Sequence, residues 1–141
     1  MRLYRATEPS TKLDNALAKL LPQLSSSAQM PTAEQLEKML ADNNTHLIIA
    51  EIDEVIVGIL SLVIVNIPTG RKAWIEDVVV GNEFRGQKIG FKLVEFAEKS
   101  AHELGVKKIY LTSNPSRQAA HKLYKNCGFE EYNTCVFRKI L

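Results

Sequence analysis

The sequence has little of what marks a specialised chain. It holds two cysteines, Cys127 and Cys135, close together and outside any CxxC pattern. They are expected as free thiols packed as small hydrophobes in a reducing, cytoplasmic setting, and neither a redox pair nor a metal site fits them. No His/Cys/carboxylate cluster has metal-ligand spacing, so no metal is expected. Long apolar runs are missing too. The longest, Val55 to Ile67, is interrupted by Gly58, Ser61 and Asn66 and falls short of the ~20 residues of a membrane span. The opening MRLYRATEPS lacks the apolar core of a signal peptide. The net charge of +2 is too small for general nucleic-acid binding, and Arg71, Lys72, Lys107 and Lys108 read as a solvated face. Repeats, low-complexity tracts and linkers are all absent, which predicts a single domain over residues 1–141.

What is present is an ordinary soluble composition, 45% hydrophobic and 24% charged, in a chain long enough to bury a core. Leu3 to Ala6 is a short candidate edge strand. Leu13, Leu17, Leu20, Leu21 and Leu24 recur at helical spacing, with Pro22 expected to end or kink the helix. Thr32 and Gln35 form a capping-box pattern ahead of Leu36, Met39 and Leu40. His46 to Ile52 and Val55 to Val65 read as a hairpin about Asp53-Glu54, and Trp74 to Val80 as a further strand. A helix carrying Ile89, Leu93, Val94, Ala97, Ala101 and Leu104 on one face ends at Gly105. Lys108 to Thr112 is a compact strand. Asn114-Pro115-Ser116 then reads as the start of a helix that ends at Gly128, and Tyr132 to Leu141 as a final strand. The order β-α-α-β-β-β-α-β-α-β predicts a mixed α/β (α+β) fold, a central sheet of about six strands flanked by about four helices.

The stretch Trp74 to Leu104 organises the rest. An apolar strand, WIEDVVV, leads into the basic turn GNEFRGQKIG and then a helix. The first N–H groups of a helix lack intrahelical acceptors and carry partial positive charge, so this end suits an anion. Arg85, Lys88 and Lys92 add full charges. Two nucleotide motifs fit poorly. A dinucleotide fingerprint needs GxGxxG, whereas only two glycines four apart are present. A P-loop needs GxxxxGK[ST], and GNEFRGQK has Gln87 at the lysine position.

Arg85-Gly86-Gln87-Lys88-Ile89-Gly90 resembles instead the pyrophosphate-binding segment [RQ]xxGx[GA] of the GNAT superfamily of N-acetyltransferases. The strand IEDVVV before it and Y-x-x-x-G-F (Tyr124 to Phe129) after it are also features of that superfamily, in the same order. Lys88 departs from the pattern, standing where glycine is usual. The resemblance implies a GNAT domain that transfers an acetyl group from acetyl-CoA (coenzyme A as co-substrate) to a primary amine of a small molecule or peptide. It implies cofactor contacts at Val78, Val79, Val80, Arg85, Gly86, Gln87, Lys88, Ile89, Gly90, Asn114 and Arg117. The strand at Val78 to Val80 is expected to splay from its neighbour and offer N–H groups to a thioester. Tyr124 matches the tyrosine that protonates the leaving thiolate.

The residues alone leave four roles open. Glu76 is the candidate base that takes the proton of the amine, with a water as the alternative and a solvated strand end as the plain reading. Strand alternation would put Trp74, Glu76, Val78 and Val80 on one face and Asp77 on the other. Asn114 could be only a helix cap, Arg117 a solvated charge, and His121 structural or cofactor-adjacent; His46 and His102 carry no functional reading. A non-catalytic acyl-CoA-binding or regulatory module on the same fold is the second possibility, prompted by Lys88. The N-terminal helices, the Ile67 to Lys72 loop and the face bearing Trp74 are expected to meet the acceptor, with no nucleic acid or membrane as partner. Edge pairing of the final strand would support a homodimer.

Overall fold

The structure is a computed structural model that describes residues Met1–Leu141. Its elements run β1 (Arg2–Ala6), α1 (Thr11–Leu24), α2 (Ala33–Ala41), β2 (Thr45–Ile52), β3 (Val55–Ile67), β4 (Gly70–Val80), a 3-10 turn at Asn82–Phe84, α3 (Ile89–Glu103), β5 (Ile109–Leu111) and α4 (Gln118–Asn126). The strands form one sheet in the order β1-β2-β3-β4-β5. The first four pair antiparallel, and β5 joins β4 in parallel through the α3 crossover.

Local chemistry accounts for the ends of the elements. Ser10 caps α1 by accepting from the Leu13 N–H at 3.0 Å. The capping box of α2 is formed in full, with Gln35 N–H to Thr32 Oγ1 at 3.1 Å and Thr32 N–H to Gln35 Oε1 at 2.9 Å. Pro22 sits within α1 without ending it, and the helix continues to Leu24. The β2–β3 hairpin turns at Asp53 and Glu54, both left-handed at φ 49° and 65°, as a two-residue turn of the primed type requires.

The sheet has a core on each face. Leu13, Leu17 and Leu20 of α1 and Leu36 and Leu40 of α2 pack over Leu47, Ile49, Ile59 and Val79. On the other face Ile89, Leu93, Val94, Ala97 and Ala101 of α3 cover Ile48, Leu60, Leu62, Ala73 and Ile75. That is the helical face read from the sequence, with Leu104 only partly buried at its end. Each side chain as fully buried as Leu93 contributes roughly 1.5–3 kcal/mol by leaving water.

Two expectations need correction. Residues 132–141 form no strand and lie exposed outside the sheet, so five strands stand where about six were expected. An extended segment is a strand only when another strand satisfies its backbone, and within this chain none lies beside it. The alternation predicted along β4 also fails. A β-bulge lies opposite the step from Ile59 to Ser61, and Asp77 there has φ 50°. Glu76, opposite Ser61, and Trp74, opposite Val63, share the α1/α2 face with Val79, whereas Val78 and Val80 join Ile75 on the α3 face.

Candidate active site

The site begins where β4 and β5 part. Their parallel register covers Ala73 with Ile109, Trp74 with Tyr110 and Ile75 with Leu111, and ends there. From Glu76 to Val80 one side of β4 therefore has no strand neighbour. The Gly81 N–H donates to Val57 O on β3 at 2.8 Å. Successive N–H groups of a strand point to opposite sides, so those of Val80 and Val78 face the opening.

Beside this opening is a cleft of about 1110 Å³ between the start of α3 and the length of α4. Val78, Val79, Val80, Arg85, Gly86, Lys88, Ile89, Gly90, Arg117 and Tyr124 all line it. Residues far apart in sequence thus meet at one cleft. Gln87 and Asn114 are not on the lining, and neither is Glu76, which belongs to the opposite face of the sheet.

The turn into α3 has an open backbone and an uncapped helix start. Gly86 has φ +80°, and a Cβ placed on it would meet nothing within 4 Å, so its backbone is open to an approaching group. Lys88 is the N-cap of α3, left-handed at φ 61° and ψ 21°, and no side chain caps the helix. The first N–H groups of α3 thus have no side-chain cap, and Arg85 and Lys88 stand beside them on the cleft. Gly90 is needed for space: a Cβ there would lie 3.0 Å from Leu123 Cδ2, where α4 crosses the start of α3.

Tyr124 is half-buried, its ring 6.1 Å from that of Phe129 in an edge arrangement, which explains the Y-x-x-x-G-F spacing across the end of α4. Burial raises its pKa above the ordinary tyrosine value, with Arg117 opposing the shift, so the group is a neutral phenol at physiological pH. Burial also raises the Cys127 thiol, helped by Glu98 and Glu95, and this disfavours a thiolate nucleophile beside the cleft. Partial burial raises the Glu76 carboxyl, and the charge of Asp77 adds to it. Asn114 Oδ1 accepts from the Ser116 N–H at 2.9 Å and from its hydroxyl at 2.8 Å, while Asn114 O lies 3.0 Å from His121 Nε2. Both residues shape the entry to α4, which starts at Gln118, later than the Asn-Pro-Ser signal suggested.

Other lining residues were not singled out from the sequence. Gln118, Lys122 and Asn126 line the cleft in a row at i, i+4 spacing, a pattern readable once α4 is known to flank it. Gln23 reaches the rim from α1 and accepts from the Asn82 N–H at 2.8 Å, a contact across 59 positions that no local pattern signals.

A family model for the Acetyltransferase (GNAT) family matches residues 12–129. The chain belongs to the GNAT acetyltransferase family. GNAT relatives include the aminoalkylphosphonate N-acetyltransferase of Salmonella typhimurium, 33% identical over 95 residues, 65% of this chain and 61% of that protein. The glucosamine 6-phosphate N-acetyltransferase of Arabidopsis thaliana is 36% identical over 59 residues, 42% of this chain and 38% of the relative. The aligned regions thus span less than two thirds of these relatives. Among solved GNAT structures, an aminoglycoside acetyltransferase from an uncultured soil metagenomic sample superposes with a TM-score of 0.86 at 21% identity, covering 99% of this chain and 96% of that one. The Arabidopsis glucosamine-6-phosphate enzyme gives 0.81 at 20% identity, covering 99% of both chains. At such identity the likeness establishes the fold.

Proposed function

We propose that the chain is an N-acetyltransferase that moves an acetyl group from acetyl-CoA to a primary amine of a small molecule by direct attack. The observation that carries this reading is the meeting of three features at one cleft: the uncapped start of α3, the unpaired edge of β4 and the Tyr124 phenol. The fit to coenzyme A rests on the bare Gly86 backbone and on the Val78 and Val80 N–H groups. Acetyl-CoA would supply an activated acyl group as a thioester.

Arg85, Lys88 and the N–H groups at the start of α3 would hold the pyrophosphate, with Arg117 across the cleft. The N–H groups of Val78 and Val80 would bind the pantetheine arm and stabilise negative charge developing on the carbonyl oxygen. Glu76 and Tyr124 lie on opposite sides of the sheet, and the parting of β4 from β5 would serve as the path between them. The amine would enter past Trp74 and give its proton to Glu76, directly or through water. As the C–N bond forms and the C–S bond breaks, Tyr124 would protonate the departing sulfur.

The acceptor class follows from the relatives, whose names point to small amines carrying phosphonate, phosphate or sugar groups. A peptide amine is the broader form of the same reading. A cytoplasmic location, a homodimeric state and independence from metal, nucleic acid and membrane complete it; no helix is long and apolar enough to cross a membrane. The test is thiol release from acetyl-CoA across a panel of aminophosphonates, amino sugars, aminoglycosides and peptides. Acceptor-dependent release is expected. Tight coenzyme A binding by calorimetry without release from any acceptor would favour a binding module instead.

A further inference from the structure

On the face of the sheet where the acceptor would arrive, one strip is left bare. Alternation along β4 up to Glu76 puts Lys72, Trp74 and Glu76 on this face, opposite Val65, Val63 and Ser61 of β3. Tyr110 of β5 is the partner of Trp74 and joins them. Trp74, Tyr110, Val63 and Val65 are half-buried and belong to neither core, so the leucines of α1 and α2 stop short of them. The strip runs along β4 and ends at Glu76, where β4 and β5 part.

Its two ends carry opposite charge. The Trp74 and Tyr110 rings lie 5.3 Å apart, and Lys72 Nζ stands over both, 5.9 Å from the Trp74 centroid and 5.4 Å from that of Tyr110. Attraction to the ring faces keeps this ammonium on the strip, so Lys72, read from the sequence as part of a solvated face, is half-buried. The Ala73 N–H donates to Lys108 O at 3.1 Å, which extends the β4–β5 ladder by one residue and sets Lys108 beside Lys72. Neither lysine has an acidic partner, and Glu76 at the far end has no basic one. Two unpaired ammonium groups and one unpaired carboxylate are thus separated by an indole ring.

We propose that the acceptor is a small amine joined through an uncharged spacer to a phosphate-class dianion. The amine meets Glu76, the spacer lies on the Trp74 and Tyr110 rings, and the dianion is held by Lys72 and Lys108. This rests on the N-acetyltransferase reading with Glu76 as base, and it narrows the acceptor. A polycationic amine would meet Lys72 and Lys108 as like charges, which repel it. The spacer also has a minimum length. Lys72 and Glu76 are four residues apart on β4, roughly 13 Å between Cα atoms. Lys72 leans back along the strand, yet the Trp74 ring still stands between the two charges. A one-carbon aminophosphonate cannot touch both ends, whereas an amino sugar phosphate spans the ring and lays its C–H face on it.

Trp74 is the only tryptophan of the chain, so its fluorescence reports occupancy of the strip without turnover. With coenzyme A present, glucosamine 6-phosphate and long ω-aminoalkyl phosphates should change the emission saturably. Glucosamine, aminomethylphosphonate and aminoglycosides should need at least about tenfold more ligand, the worth of one lost charge-assisted contact. Lys72→Gln, its folding checked by far-UV circular dichroism, should weaken the phosphorylated amines by about that factor and bring them level with glucosamine. A purely structural role for Lys72 would weaken both kinds of ligand and preserve their difference. Thiol release from acetyl-CoA is measured in parallel. A saturable emission change without release supports this acceptor site and removes the transfer reaction; release that shows no preference for a phosphorylated amine overturns the acceptor and leaves the transfer standing. No emission response to any phosphorylated amine, an equal response with and without the phosphate, a preference for aminomethylphosphonate, or a Lys72→Gln protein that binds like wild type would each overturn the proposal.

Discussion

Ile75 and Leu111 are the last residues at which β4 and β5 face each other. Both belong to the core against α3, so the parallel pair is anchored up to this point and open beyond it. The bulge at Asp77 follows two positions later and turns Val78 and Val80 toward the α3 side. A paired strand and an unpaired edge thus occur within one element, and the catalytic reading depends on that change.

Tyr124→Phe removes the proposed acid while keeping the ring that packs on Phe129. General acid catalysis contributes about 10²–10⁴-fold. The kcat should fall within that range, with coenzyme A affinity by calorimetry nearly unchanged. Full activity in the variant would remove Tyr124 from the mechanism.

The pH profile should report Glu76. A base works deprotonated, so kcat/KM should rise with pH through its raised pKa. Asp77→Asn removes one of the two causes of that rise and should move the limb to lower pH. Glu76→Gln should abolish the limb; a profile unchanged in the Gln variant would assign the proton to water.

Lys88 makes opposing contributions. Its left-handed backbone costs roughly 1–2 kcal/mol, which glycine avoids, less about 0.4–1 kcal/mol for the looser unfolded chain. Lys88→Gly should therefore melt slightly higher. If its ammonium contacts phosphate, an exposed pair of about 0.2–1 kcal/mol disappears, and coenzyme A should bind up to about fivefold weaker with a shallower salt dependence. Calorimetry at two salt concentrations, with thermal melts, separates the two effects.

Gly90→Ala places a Cβ 3.0 Å from Leu123 Cδ2, so the Leu123 side chain must give way at the crossing of α3 and α4. Overpacking of this kind costs about 1–3 kcal/mol. Stability in urea and coenzyme A affinity should fall together, because Gly90 and Leu123 both line the cleft.

On the far side of the protein, buried Glu51 accepts from the Tyr4 hydroxyl at 2.7 Å and pairs with Lys12 Nζ at 2.9 Å. The Tyr4 hydrogen bond, then that of Lys12, lowers its pKa, while Tyr4 is pushed up to about 12, by burial first and then by Glu51. A depressed carboxyl stabilises the fold above its unfolded pKa, and that contribution is lost as pH falls through the folded one. Glu51→Gln should therefore be less stable than wild type at neutral pH, and the gap should narrow in acid. Urea melts at several pH values check this.

Much of the protein was written locally. The capping box at Thr32 and Gln35, the leucine spacing of α1, the Asp53-Glu54 turn and the apolar stripe of α3 each depend on residues within a turn or two of one another, so the sequence alone determined them. The turn at Arg85 to Gly90 into α3 and the position of Tyr124 on α4 were legible for the same reason, as short motifs in order. Three things required the assembled sheet. The bulge at Asp77 changed the face of Val78 and Val80 relative to Glu76, because pairing with β3 decides where an extra residue is accommodated. Gln23 reached the rim of the cleft through contacts that sequence separation hides. The strand expected at Tyr132 to Leu141 had the right residues but found no neighbour, because a strand is completed by its partner's backbone and its own sequence cannot supply that partner.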